Sequence, residues 1–292
     1  MIVIVQDFSG LWIPVVTPFA HGEIDHGALK ALVLRLKQDG VRGLVASSST
    51  GEGGLLDEAE QNAALSTIVE AAGGLPVIMG VSGPRPERVA ARTQWLAERF
   101  PLHAFLLPPP SYIRPSQAGL LSYFSTVADA TPRPVVLYDI PYRTGVKIEP
   151  TTLLELAAHP AIQALKDCGG QPSATEALIS DGRLAVLAGE DHQIFGTLAL
   201  GGAGAITASA HLQTPRFVAL VTALQAGDLP RARALWRQLR PLIELCFTEP
   251  NPAPIKAMLA GQGEMQNELR PPLQPASAEL QQRFGHLLQD IE

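Results

Sequence analysis

From Leu11 to Ile206, short apolar runs alternate with longer stretches in which apolar side chains recur every three or four positions, and turn residues separate the two. The short runs are Leu11–Thr17, Val41–Ala46, Leu75–Gly80, Leu102–Leu107, Pro134–Tyr138, Ala161–Lys166, Arg183–Leu187 and Ala203–Ile206. Their length and flanking Gly and Pro predict buried β-strands. Between them, Asp25 caps a helix with Ala28, Leu29, Leu32 and Leu36 on one face, which Gly40 stops. Asp57 opens another to about Ala72, with Ala64, Leu65 and Ile68 inward. Further helices are expected over Pro86–Phe100, Pro115–Ala130, Pro150–His159, from about Ser173, and over His192–Leu200.

Eight strand candidates separated by helices are the pattern of an α/β fold of the (β/α)8 TIM-barrel type, with the final pairs shorter than the first. A doubly wound sheet fits less well, because no strand leads into G-x-G-x-x-G or a P-loop. Gly51-Glu52-Gly53-Gly54 and Gly201-Gly202-Ala203-Gly204 match neither. The barrel is assigned to residues 1–226. Residues 227–292 lack strands and are expected to form a small helical domain from Pro230–Phe247, Pro254–Ala260 and Ala276–Leu288, with Pro271, Pro272 and Pro275 in a loop. Pro108, Pro109 and Pro110 hold the following loop, Ser111–Pro115, in a stiff extended path.

With 292 residues, 46% of them hydrophobic, the chain can bury the core such a barrel needs. Its net charge of −6 argues against a nucleic-acid partner. Cys168 and Cys246 are too few for a disulfide framework or a structural zinc site, which makes a reducing cytoplasm the simplest location. The stretch Met1–Gly10 has no basic leader and is too short to span a bilayer, so it is taken as neither signal nor anchor.

In a barrel of this type the carboxyl ends of the strands meet at one mouth. There the pattern places Thr17, Ser47 to Glu52, Tyr112, Tyr138, Lys166, Gly189 and Ile206. Lys166 carries the most chemistry. A free lysine, with a pKa of ~10.4, is only about 0.04% neutral at pH 7, and only the neutral amine attacks a carbonyl. Desolvation at a strand end lowers that pKa, and ~3 units correspond to ~4 kcal/mol. A lysine can instead lay its stem on apolar surface with its head in water, so its neighbours decide. Imine chemistry needs proton relays, which Tyr138 and the serine hydroxyls can supply; a buried tyrosine can also serve packing alone. Ser49-Thr50-Gly51-Glu52 is either an ordinary capped loop or a turn offering hydroxyls and N–H groups to a small anion. Arg143 can clamp a carboxylate bidentately. Glu52 is expected to be structural, and Cys168 to pack. The seven histidines form no metal-ligand pattern, so neither a metal nor another cofactor is expected.

In chain order, Ser49-Thr50-Gly51-Glu52, Tyr112-Ile113-Arg114-Pro115-Ser116-Gln117, Tyr138-Asp139-Ile140-Pro141, Arg143-Thr144-Gly145, Lys166-Asp167, Gly189-Glu190-Asp191 and Glu249-Pro250-Asn251-Pro252 resemble the motifs of the Schiff-base-forming aldolase family of dihydrodipicolinate synthase and N-acetylneuraminate lyase. The resemblance runs through essentially the whole chain. It implies that Lys166 forms the imine with pyruvate, and that Tyr138, Ser49 and Tyr112 relay protons, Tyr112 reaching into a neighbouring subunit of a homotetramer. It further implies that Thr50 binds the pyruvate carboxylate, with Gly189 and Ile206 beside the substrate, and that Arg143 receives the carboxylate of aspartate semialdehyde. The partners implied are small molecules, with no nucleic acid and no membrane.

The synthase branch of lysine biosynthesis is the nearer match, and a sugar-acid aldolase is the alternative. Ser49, Asp139, Tyr142 and Asp167-Cys168 depart from that branch's usual threonine, asparagine, serine and post-lysine residues. Tyr142 is bulky enough to reshape the second-substrate pocket. Gly53, Glu58, Gln61, Pro84 and Ser111 stand where lysine-sensitive synthases carry polar contacts, so weak or absent inhibition by lysine is expected.

Overall fold

Strands of a parallel barrel are buried on both faces and so read as continuous apolar runs, whereas their helices bury one stripe only. The structure, a computed structural model, describes residues 6–291; the N-terminal apolar patch, Met1 to Val5, lies outside the described residues. Among the described residues ten strands occur in chain order: β1 (Gly10–Pro14), β2 (Phe19–Ala20), β3 (Glu23–Ile24), β4 (Gly43–Ala46), β5 (Val77–Gly80), β6 (Ala104–Leu107), β7 (Val135–Asp139), β8 (Ile162–Asp167), β9 (Ala185–Ala188) and β10 (Gly204–Ile206). Eight of them close a parallel barrel in the order β1-β10-β9-β8-β7-β6-β5-β4, as the alternation predicts, while β2 and β3 form a small antiparallel hairpin. All residues of β4, β6 and β7 are buried.

The helices are α1 (His26–Gln38), α2 (Glu58–Ala72), α3 (Pro86–Arg99), α4 (Gln117–Ala130), α5 (Pro141–Thr144), α6 (Pro150–Leu156), α7 (Pro172–Asp181), α8 (Ile194–Ala199), α9 (Thr214–Gln225), α10 (Leu229–Cys246), α11 (Ala253–Gly261) and α12 (Ala278–Ile291). Asp25 caps α1 by accepting from the Ala28 N–H, and Asp57 with Glu60 makes a reciprocal capping box on α2. Besides the hairpin β2–β3, three elements depart from the pattern. The stretch after Ile206, assigned no element, contains α9, which Pro215 opens in place of a side-chain cap and which buries Phe217, Leu220, Val221 and Leu224. The loop expected up to Gly145 contains the single turn α5, begun at Pro141 and ended by Gly145 at φ +77°. The helix expected from Pro115 starts at Gln117, because Ser116 is its cap.

The chain divides into two compact units, one formed by the N-terminal residues to Gly10 with Pro76–Ile206, the other by Leu11–Leu75 with Thr207 to the C-terminus. In the second unit α9 packs on α10, and α10, α11 and α12 pack on one another. Its interior is fastened by two polar devices. His211 accepts from the Val16 N–H at Nε2 (3.2 Å) and pairs through Nδ1 with the Ala208 carbonyl (2.8 Å); burial pushes its pKa down to about 4, so it is a neutral peg. Lys256 on α11 lies fully buried against Glu52, Nζ to Oε1 2.7 Å, and also donates to the Thr17 carbonyl (2.9 Å). The second Glu52 oxygen accepts from the Arg270 N–H (2.9 Å).

A buried charge is tolerated only while its partner is present. Lys256→Met is therefore expected to lower the unfolding free energy by about 3–5 kcal/mol in urea titrations, and Lys256→Met with Glu52→Gln to recover part of that. A double-variant loss equal to the sum of the losses of Lys256→Met and Glu52→Gln alone would show that the pair is not coupled.

Candidate active site

Lys166 is the penultimate residue of β8, and the strand keeps it out of water: the side chain is 4% exposed. Burial is the largest influence on its amine and pushes the pKa below the ordinary lysine value; Cys168, Asp191 and Glu190 pull upward, and Arg143 adds to the lowering. The barrel register pairs Lys166 with Tyr138 on β7 and Leu187 on β9. Its Nζ stands 4.2 Å from the centroid of the Tyr138 ring, a cation–π contact that keeps the amine at the strand end. Tyr138 is itself buried, and burial holds its phenol well above the ordinary value, so it carries its proton at neutral pH.

Directly after β9, Gly189 passes so close to β8 that a Cβ there would stand 2.5 Å from Cys168 Sγ and 2.9 Å from Lys166 Cγ. Only glycine fits. Its N–H donates to the Asp167 carbonyl (2.9 Å), tying the two strand ends together. Cys168 is buried, and burial pushes its thiol pKa up, so it is not a thiolate nucleophile. Ile206 ends β10 and is 1% exposed. Arg143 lies exposed on α5, its guanidinium 5.9 Å from the centroid of the Tyr142 ring. Tyr112 is different: it is 94% exposed at φ +72°, in the loop after β6. The first unit thus brings Lys166, Tyr138 and Gly189 together and leaves Tyr112 in solvent.

Ser49 and Thr50 belong to the second unit, in the turn after β4. The turn is tight: Ser47 and Glu52 take left-handed φ values of +50° and +56°, and a Cβ on Gly51 would meet the Val15 carbonyl at 2.7 Å. Thr17 Oγ1 donates to the Gly51 carbonyl (2.7 Å). Thr50 is buried, and its Oγ1 accepts from Asn251 Nδ2 at 3.0 Å. That bond leaves the Thr50 hydroxyl hydrogen available to a ligand. Among the described residues no group of three or more His, Cys, Asp or Glu side chains is placed to hold a metal ion.

The chain matches the profile of the dihydrodipicolinate synthetase family over residues 7–291. It belongs to that family. It is 35% identical to 4-hydroxy-tetrahydrodipicolinate synthase 2 of Clostridium acetobutylicum, covering 96% of this chain and 99% of the relative. It is 36% identical to the 4-hydroxy-tetrahydrodipicolinate synthase of Haloarcula marismortui, covering 98% and 94%. Among solved structures it resembles the dihydrodipicolinate synthase of Acinetobacter baumannii, described as complexed with pyruvate, at a TM-score of 0.94 and 29% identity, covering 97% and 98%.

In this dihydrodipicolinate synthetase family member, the sequence pattern passes over three side chains that shape the site. Asn251 stands in the Glu249-Pro250-Asn251-Pro252 motif, but nothing in the pattern links it to Thr50, 201 positions away. Glu190 accepts from the Tyr142 hydroxyl across 48 positions. Asp139, paired in register with Asp167, is 2% exposed and accepts from the Ile148 N–H (3.1 Å), which fixes the loop that carries Arg143.

Burial raises Asp139 to a pKa of about 6; the Ile148 N–H opposes this and Asp167 adds to it. Since an unfolded aspartate titrates near ~3.9, the folded protein holds this proton more tightly. The resulting stability is present below about pH 4 and lost as pH rises through about 6. Asp139→Asn keeps the oxygen that accepts from Ile148 and cannot ionise. The variant is expected to be more stable than wild type at pH 8, by on the order of 2 kcal/mol, and equal to it near pH 4. Thermal melts at the two pH values check this, and a variant less stable at pH 8 would contradict it.

Proposed function

We propose that this chain is a 4-hydroxy-tetrahydrodipicolinate synthase, condensing pyruvate with aspartate semialdehyde through an imine on Lys166 in lysine biosynthesis. The observation that carries the reading is the dry Lys166 amine at the end of β8, beside Tyr138 and Gly189, in a member of this family. Full-length similarity to curated synthases supports the branch.

The neutral Lys166 Nζ attacks C2 of pyruvate, and the carbinolamine loses water to give the imine. Loss of a C3 proton makes the enamine, whose C3 bonds to the aldehyde carbon of the acceptor. The acceptor's own amine then adds to C2 and expels Lys166, closing the ring. Each step moves a proton, and Tyr138, Ser49 and Tyr112 are the relays. Tyr138 serves because it remains a phenol that can give and regain a proton. Thr50 donates to the pyruvate carboxylate, with Asn251 fixing its hydroxyl, and Gly189 and Ile206 border the bound pyruvate. Arg143 takes the acceptor's carboxylate by a bidentate pair. The imine is itself the electron sink, so no further cofactor enters.

Tyr112 supplies its hydroxyl to a neighbouring chain, which its exposure in a single chain favours, and the assembly is a homotetramer. Both substrates are small molecules. Among the described residues no helix is long and apolar enough to cross a membrane. The cytoplasm is the location proposed, on the low cysteine count. The departures of Ser49, Asp139 and Tyr142 from the synthase branch's usual residues keep a sugar-acid aldolase as the second reading.

Lys166→Ala is expected to lose turnover of pyruvate with aspartate semialdehyde by at least about a thousandfold, on the order of 4 kcal/mol of barrier. Wild-type inactivity with that aldehyde, alongside cleavage of 2-keto-3-deoxy sugar acids, would transfer the assignment to the second reading. Asn251→Ala is expected to raise the pyruvate KM about 5- to 30-fold with a smaller change in kcat, as loss of one oriented hydrogen bond implies. An unchanged pyruvate KM would separate Asn251 from Thr50.

A further inference from the structure

The strands β7, β8 and β9 are consecutive neighbours in the barrel, so any bond from the segment after β7 to the segment after β9 crosses the carboxyl end of β8. Tyr142, on α5 just beyond β7, makes that bond: its hydroxyl donates to Glu190 Oε1, directly beyond β9, at 2.8 Å. Adjacent strands lie ~4.8 Å apart, so the gap bridged is on the order of 10 Å, which a serine at position 142 could not span. Lys166 and Cys168 lie at the strand end so crossed, and Glu190 also engages the Cys168 thiol.

Core packing does not account for the size of Tyr142, because the residue is 66% exposed. The Arg143 guanidinium lies beside its ring. We propose that Tyr142 is a specificity-determining residue: its bond to Glu190 straps the mouth over Lys166 and admits short acceptors while excluding polyhydroxylated ones. The inference rests on the imine chemistry proposed for Lys166 and adds what selects the second substrate. Two physical effects act together. The strap narrows the approach to the carbon that C3 of the enamine must reach. It also occupies the Glu190 oxygen that would otherwise accept from the hydroxyls of a sugar-derived aldehyde, and a polar acceptor denied its partner pays the full cost of desolvation.

Imine formation reads this out without turnover. Wild type, Tyr142→Phe and Tyr142→Ser are incubated with pyruvate or with 2-keto-3-deoxygluconate, reduced with borohydride, and the adduct on Lys166 is followed by intact mass and peptide mapping. A 2-keto-3-deoxy sugar acid places its hydroxylated tail where the acceptor lies. Its adduct is expected to form at least about tenfold faster, relative to pyruvate, in Tyr142→Ser than in wild type, with Tyr142→Phe between them. Equal ratios in all three proteins overturn the strap and leave the lysine chemistry standing. So does a variant whose pyruvate adduct slows in step with the sugar-acid adduct. Absence of a pyruvate adduct on Lys166 in every protein overturns the lysine reading and the strap together.

Discussion

The desolvation of one amine governs this molecule. A lysine 4% exposed at the end of a barrel strand cannot keep its charge as cheaply as it does in water, and the burial that penalises the ammonium favours the neutral amine that the proposed imine chemistry needs. The surroundings temper the effect rather than cancel it. Glu190 and Asp191 favour the cation, Arg143 disfavours it, and the Tyr138 ring stabilises whatever positive charge remains. A paired carboxylate, such as the one Glu52 gives Lys256, opposes the effect of burial more directly. The chain thus contains two buried lysines that burial pushes below the ordinary value, one facing a carboxylate 2.7 Å away and one the Tyr138 ring without a paired carboxylate.

The Lys256 pair has its own purpose within the second unit. It ties the turn after β4, which carries Ser49 and Thr50, to α11, while Asn251 holds the Thr50 hydroxyl. The C-terminal helices are therefore part of the support of a proposed binding turn. The left-handed residues Ser47 and Glu52 show how sharply that turn is folded, and a hydrogen-bonded acid at its end fixes its position.

The barrel was legible because burial on two faces writes an uninterrupted apolar run, and because prolines and glycines mark the joins; Leu102–Leu107 and Pro134–Tyr138 were found within two residues of β6 and β7. Lys166 was legible by its place at the end of such a run. What escaped had no local signature. Helix α9 begins at Thr214-Pro215 without a capping side-chain bond, so the pattern of Phe217, Leu220 and Leu224 had only Pro215 to mark its start. The hairpin β2–β3 has two residues per strand, too few for an alternation to show. Asn251 with Thr50 and Tyr142 with Glu190 are long-range pairs, and tertiary packing, not spacing, brings them together.

The neutrality of the Lys166 amine is tested most directly by the pH dependence of pyruvate capture. The rate of borohydride-trapped adduct formation on Lys166, followed by intact mass between pH 6 and 11, should reach its plateau with a midpoint below the ~10.4 of a free lysine. A rate that climbs through pH 10 with the profile of an unperturbed lysine, or an adduct on another side chain, would contradict the account.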